Sequence, residues 1–285
     1  MKKMIRSLVV YLVVMLALTS FKTVPENENS TAVNEVLIKN YIATVYKQID
    51  FEDYKKLSFD VFSKACQGYL NLKIEGKLSS EKELLTICDM SLSSSEDRMW
   101  VIDLASKKVI YNTFVAHGQG SGDEYAYAFS NNFDSHQTSL GFYVTTDTYD
   151  GDHGMSLHLV GMDQGFNDAA FDRGIVVHGA KYVSQKFIRG NDHLGRSWGC
   201  PAVPAKLSNK IINTIKDSTC LFIYYPEENY LKSTVWLNKK IMNLPGGSIY
   251  QDMQAISLPK PKARIIEYRN KSGKVDSVVT LPTSN

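Results

Sequence analysis

The stretch Ile175–Val203, IVVHGAKYVSQKFIRGNDHLGRSWGCPAV, decides how the rest of the chain is read. It grows out of the short apolar run Gly174-Ile175-Val176-Val177, the pattern of a buried strand, which ends on His178-Gly179. A polar loop punctuated by glycine follows, and then Arg196-Ser197-Trp198-Gly199-Cys200-Pro201. A cysteine between Gly and Pro sits in a tight turn, where backbone N–H groups can point toward its sulfur. His178 and Cys200 are 22 residues apart, so only the fold can bring them together. A Cys/His pair of this kind can generate a thiolate nucleophile at neutral pH.

The neighbours of Cys200 have readable tasks. Ser197, Trp198, Gly199 and Cys200 form a turn able to offer backbone N–H groups to a tetrahedral oxyanion. Gly199 permits a positive φ and close approach, and Ser197 either braces the turn or bonds His178. Trp198 reads as a packing wedge. Arg196 either holds a substrate carboxylate or is solvated, and Tyr182, Asn167 and Asp168 fall close enough to the motif to line a cleft. Among the other histidines, His117 and His153 precede a Gly without the following turn, and His193 is the reserve base. Gly118-Gln119-Gly120-Ser121-Gly122 lacks the ending of a phosphate loop and reads as a flexible loop near the site. The Cys and His spacings fit no zinc pattern, so neither metal nor cofactor is expected.

Outward from the motif, period-two and continuous apolar runs dominate. Met99–Leu104 and Val109–Val115 flank Ala105–Lys108 as a hairpin; Ser139–Val144 and Leu157–Val160 supply further strands. Ala205–Lys216 has helical spacing in Leu207, Ile211, Ile212 and Ile215, followed by the strand Leu221–Tyr225. From Val36 to about Lys82 the period is helical, read as two helices covering one face of the sheet. Ala263–Tyr268 and Val275–Leu281 form a small hairpin across Asn270-Lys271-Ser272-Gly273, after an irregular Asn238–Gly247. The fold class is mainly β, a mixed sandwich or barrel with an N-terminal helical region and a helix after the cysteine.

Residues 1–20 read as a signal peptide: a basic start with Lys2, Lys3 and Arg6, then the apolar run Leu8–Leu18. That run is short for a bilayer span, and an uncleaved anchor is the alternative. No Cys follows it, which argues against a lipid anchor. The expected location is the periplasm or cell envelope. The formal charge of +2 in 285 residues drops close to neutrality without that segment, which removes any electrostatic case for nucleic acid. Export makes disulfides possible for four cysteines. Cys66, Cys88 and Cys220 lie in apolar patterns and read as small buried hydrophobes, although a Cys66–Cys88 bridge stays open. The organisation is residues 1–20 as signal, 21–89 as helical region, 90–226 as catalytic body and 227–285 as extension.

The string HGAKYVS followed by LGRSWGCPAVP resembles the catalytic motif of murein L,D-transpeptidases of the YkuD type, over roughly Met90 to Pro226. The commoner family form is Ser-His-Gly-Cys followed by Arg or Asn; here Trp198 replaces that His and Pro201-Ala202 follow. The resemblance implies Cys200 as nucleophile and His178 as the only imidazole of the motif, oriented by a backbone carbonyl, that of Gly179. It implies a thioester acyl-enzyme on peptidoglycan stem peptides and a 3→3 crosslink when an amine accepts the acyl group. Water as acceptor gives an L,D-carboxypeptidase, and an inactive cell-wall binding module is the third reading.

Overall fold

The computed structural model describes residues 28–52, 54–241, 264–269 and 275–281; the expected signal segment lies outside them. Strands β1 (Leu84–Asp89), β2 (Met99–Asp103), β3 (Lys108–Thr113), β4 (Gly141–Gly151), β5 (Gly154–Gly161), β6 (Val176–Ala180), β7 (Ala202–Pro204) and β8 (Cys220–Tyr224) share one sheet. Their order is β3-β2-β1-β8-β4-β5-β6-β7. Strand β1 runs antiparallel to β2 and parallel to β8, and all six of its residues are buried. A strand covered on both faces needs apolar side chains at every position, and the run Leu84-Leu85-Thr86-Ile87-Cys88 meets that demand.

The sheet curls until its ends meet. Directly after β3 the chain crosses to β7, where Ala116 N–H donates to Ala202 O at 2.8 Å and Ala202 N–H returns a bond at 3.4 Å. A second bridge joins Gly118 to Ser197. Closure of this kind satisfies edge groups that would otherwise be exposed templates for pairing. The Gly118–Gly122 segment, expected as a flexible loop, is instead a 3-10 turn at Gln119–Ser121 with Ser121 fully buried. It is fixed from two sides: Gln119 N–H donates to Ser197 O at 2.8 Å and Gly120 N–H to His136 O at 2.9 Å.

Helices α1 (Glu28–Gln48) and α2 (Phe59–Ile74) pack on each other, and α2 lies against β1 and β8. Helices α3 (Gln185–Asn191) and α4 (Ser208–Ile215) follow β6 and β7, and α4 buries Ile211, Ile212 and Ile215 against β5 and β6. The mainly β fold with N-terminal helices and a helix after Cys200 is therefore the one expected. The sequence boundary at residue 89 does not separate two structures, because β1 occupies the middle of the sheet and α2 belongs to the same core. Nor does the core end at residue 226. Helices α5 (Glu228–Ser233) and α6 (Val235–Asn238) bury Tyr230 and Trp236, and Asn71 Nδ2 donates to Trp236 O at 2.8 Å. Beyond, β9 (Arg264–Arg269) and β10 (Val275–Leu281) pair antiparallel. No helix among the described residues is long and apolar enough to cross a membrane.

The join between α2 and the sheet is closest at Gly68. A Cβ there would lie 2.0 Å from the ring of Phe142, which stacks on Phe222 with centroids 4.1 Å apart. In an open helix, Gly→Ala stabilises by roughly 0.5–1 kcal/mol. Here the added methyl meets two stacked rings in a full core, and overpacking costs about 1–3 kcal/mol. Gly68→Ala is therefore expected to lower the urea-unfolding free energy, and a gain in stability would show that the Phe142 contact yields freely.

Candidate active site

His178 lies inside β6, paired with Ser156 of β5 on one side and Ala202 of β7 on the other. The sequence placed it at a strand end; with neighbours on both sides it is 3% exposed. Its Nδ1 is 3.1 Å from Gly179 O. A carbonyl only accepts, so the proton sits on Nδ1 and Nε2 keeps its lone pair. Alternate residues of a strand share a face, so Val176 and His178 point the same way. The β6–β7 register then sets Cys200, two residues ahead of Ala202, beside Val176, whose N–H lies 3.5 Å from Sγ. The thiol donates to Gly174 O at 3.7 Å. His178 and Cys200 line one cleft of about 790 Å³, with no hydrogen bond between them.

The turn that presents Cys200 is held from several sides. Ser197 Oγ donates to Cys200 O at 2.6 Å and accepts from Gly199 N–H at 3.1 Å, so this hydroxyl braces the turn and leaves His178 alone. Thr138 Oγ1 donates to Gly199 O at 3.2 Å and accepts from Gly118 N–H at 3.0 Å. Gly199 has φ +121°, and a Cβ there would come 2.8 Å from Gln137 O. Only glycine fits that conformation without strain.

Burial pushes the Cys200 thiol above its ordinary value, partly offset by the Val176 N–H, the Arg173 charge and the cysteine's own N–H. Burial also pushes His178 below the ordinary imidazole value, opposed by the Gly179 carbonyl and reinforced by His153. Desolvation disfavours the charged form of each group. At neutral pH the resting pair is a thiol and a neutral imidazole.

Other expected residues fall in several places. Tyr182 and Arg196 line the cleft, but Arg196 is ion-paired with Asp123 and donates to Gly122 O at 3.3 Å. Asn167 is fully buried away from the cleft, donating to Phe142 O at 2.9 Å and accepting from Asp163 N–H at 2.8 Å. Asp168 accepts from Asn131 Nδ2 at 2.8 Å and is likewise outside the cleft lining. His193 lines a separate pocket beyond Arg196, its Nδ1 2.6 Å from Leu194 O. His117 is buried between Arg98 and Gly122 O; burial first and the Arg98 charge second bring its pKa down to about 3, opposed by the Gly122 carbonyl. Trp198 is no packing wedge. It is 71% exposed and stacks flat on His136, centroids 4.9 Å apart, at the cleft wall.

His153 and Arg173 are among the cleft residues that the sequence pattern did not mark as such. His153, in the two-residue turn between paired Gly151 and Gly154, stacks on His178 with centroids 4.5 Å apart. Arg173 lines the cleft one residue before Gly174. The Gly-Asp-His-Gly run at 151–154 is a hairpin signal that could have marked His153 as a tip residue. No local pattern marks Arg173.

Residues 53–224 match the family of L,D-transpeptidase catalytic domains, and the chain belongs to that family. The match starts well before Met90 and takes in α2 and β1. Among curated proteins, none matches this sequence. Similar solved structures include an L,D-transpeptidase from Mycobacterium smegmatis, with 11% identity and TM-score 0.31, covering 50% of this chain and 59% of that one. Another is L,D-transpeptidase (Yku) from Stackebrandtia nassauensis, with 15% identity and TM-score 0.29, covering 67% and 92%. A third is the LD transpeptidase LdtMt1 in complex with imipenem, with 9% identity and TM-score 0.31, covering 50% and 59%. This chain spans about three fifths of the length of the first.

All four cysteines are free thiols, so Cys66 and Cys88 form no bridge. Cys66, Cys88 and Cys220 are at most 1% exposed, and burial lifts Cys66 and Cys88 to about 12. Alkylation of the folded protein with iodoacetamide is expected to label Cys200 alone, read by peptide mass. Rapid labelling of any other cysteine with Cys200 protected would show that a different sulfur is reactive.

Proposed function

We propose that this chain is an exported cysteine L,D-transpeptidase acting on peptidoglycan stem peptides through a thioester on Cys200. The observation that carries the reading is the shared cleft: a thiol on a rigid turn and an imidazole with a free Nε2. The leader-like residues 1–20 support export.

The chemistry follows from these atoms. Substrate enters with the carbonyl of the stem's third residue over Sγ, and Sγ–H swings from Gly174 O toward His178. Nε2 takes the proton as sulfur attacks the carbonyl carbon. The oxyanion meets the Cys200 N–H, which already faces the sulfur. Collapse breaks the amide bond, leaves a thioester, and returns the proton from His178 to the departing D-residue's amine. The side-chain amine of a second stem then attacks the thioester, gives its proton to Nε2, and forms the 3→3 crosslink; the regenerated thiolate regains that proton. Water in the amine's place yields the carboxypeptidase product from the same intermediate.

Muropeptides incubated with the protein should yield crosslinked dimers or trimmed stems, resolved by mass, and Cys200→Ala should yield neither. Continued turnover by Cys200→Ala would end the proposal. For the base, His178→Asn suits this buried position better than Ala, which would leave a cavity. Its single-turnover acylation by imipenem should fall about 10²–10⁴-fold. The depressed His178 pKa keeps the base unprotonated below the ordinary imidazole range. The acidic limb of wild-type acylation is therefore expected below about pH 6.5, and a limb above that value would contradict the assigned base. Export predicts a mature N-terminus near residue 20; recovery of Met1 from a cytosolic pool would oppose it.

A further inference from the structure

We infer that Arg173 is a positioning residue of the cleft, holding a fixed, uncompensated positive charge beside the Cys200 sulfur and stabilising its thiolate. The inference rests on Cys200 being the reacting thiol. Arg173 lines the same cleft, and the next residue, Gly174, supplies the carbonyl that accepts the thiol. Val176, two residues further, supplies the N–H that faces the sulfur. One short run of chain therefore wraps the sulfur and carries the cation.

Counting donors separates this role from a substrate clamp. Arg173 Nη1 donates to Ser130 O at 3.0 Å and to Ser139 Oγ. Its Nη2 donates to Ser135 Oγ at 3.2 Å and to Gln137 O at 3.0 Å. A guanidinium has five N–H donors, so only Nε–H is left, and bidentate capture of a carboxylate needs two adjacent ones. All four acceptors are neutral. They orient the group and leave its charge in place, and no carboxylate among the described residues forms an ion pair with it. Arg196, across the same cleft, is by contrast paired with Asp123.

The ionisable groups around the pair fit this assignment. The acids whose fields reach Arg173 are the Tyr143 phenol and the Cys200 thiol, and burial pushes the Tyr143 phenol well above its ordinary value. Of the two, Cys200 is the one that faces the cleft and the His178 base, so its thiolate is the charge that Arg173 meets when the proton leaves. From the other walls the sulfur shares its cleft with His178 of β6, His153 and Asp152 of the β4–β5 tip, Tyr149 of β4, Tyr182 and the paired Arg196. Tyr182 is held up to about 12 and stays neutral. Loss of the Arg173 charge would leave burial opposed by two backbone N–H groups.

The test is the pH profile of Cys200 alkylation in the full chain, with iodoacetamide as probe and the Cys200 peptide read by mass. Arg173→Met should raise the midpoint by about one pH unit, equivalent to about tenfold less thiolate at a fixed pH below it. Arg173→Lys keeps the charge and loses most of the hydrogen bonds, so its midpoint should stay near wild type even if melting temperature falls. A residue that merely anchors the 130–139 loop would give the reverse ordering: both variants less stable, with the midpoint unmoved in Arg173→Met. That result, or a rise in Arg173→Lys as large as in Arg173→Met, would overturn the inference. If Arg173→Met does not fold, Arg173→Gln, neutral but still able to donate to the loop acceptors, takes its place: a midpoint about one unit above wild type supports the charge role, and a wild-type midpoint removes it. Alkylation needs no stem peptide, so a failed muropeptide assay and a failed charge assignment give different readouts.

Discussion

The parallel pairing of β6 with β7 is the contact on which the cleft depends. Strand β7 has three residues, too few to stand as a strand on its own. It is held on one side by His178, Gly179 and Ala180 of β6 and on the other by Ala116, which closes the sheet. Cys200 precedes this pinned segment by two residues, so its distance from the His178 strand is set by backbone hydrogen bonds. Thr138 adds a third anchor by bonding both Gly118 and Gly199. Backbone bonds are numerous, short-ranged and directional, so they position a side chain more tightly than flexible side-chain contacts do.

Burial then gives the cleft its resting state. It raises the thiol and lowers the imidazole, so the two meet the solvent as neutral groups. A neutral thiol is a poor target for oxidants, since reactivity follows the thiolate. In the proposed reaction the proton transfer therefore waits for substrate to exclude water and bring the carbonyl to Sγ. Donors already aimed at the sulfur would then act on charge as it forms.

Local patterns made part of this legible. Continuous apolar runs marked β6 and β8, and the spacing of Ile211, Ile212 and Ile215 marked α4, because burial there follows directly from side-chain period. The Gly-Cys-Pro turn and the apolar settings of Cys66, Cys88 and Cys220 separated one thiol from three. What sequence could not carry was long-range register. His178 looked like a strand end because the pairing of β5 and β7 on its two flanks involves residues 22 positions before it and 24 after. Asn167 sits near the motif in sequence, yet its amide is consumed by Phe142 and Asp163. Arg173 acquires its setting from a loop some 40 residues earlier, with bonds to Ser130 and Ser135 spanning 43 and 38 positions. The boundary at residue 89 failed for a topological reason: β1 is inserted between β2 and β8, so the sheet cannot be completed without it.

The flat stack of Trp198 on His136 gives the protein an optical property. It has three tryptophans; Trp100 and Trp236 are buried, whereas Trp198 stands in solvent on the wall of the cleft. The indole touches an imidazole on one face and water on the other, so its emission reports on whatever fills the cleft. A ligand laid across the open face would displace that water and shift the emission toward the blue. The two buried indoles supply a steady background against which that change is read. Entry of ligand beside Cys200 thus becomes visible in the native chain without an attached dye.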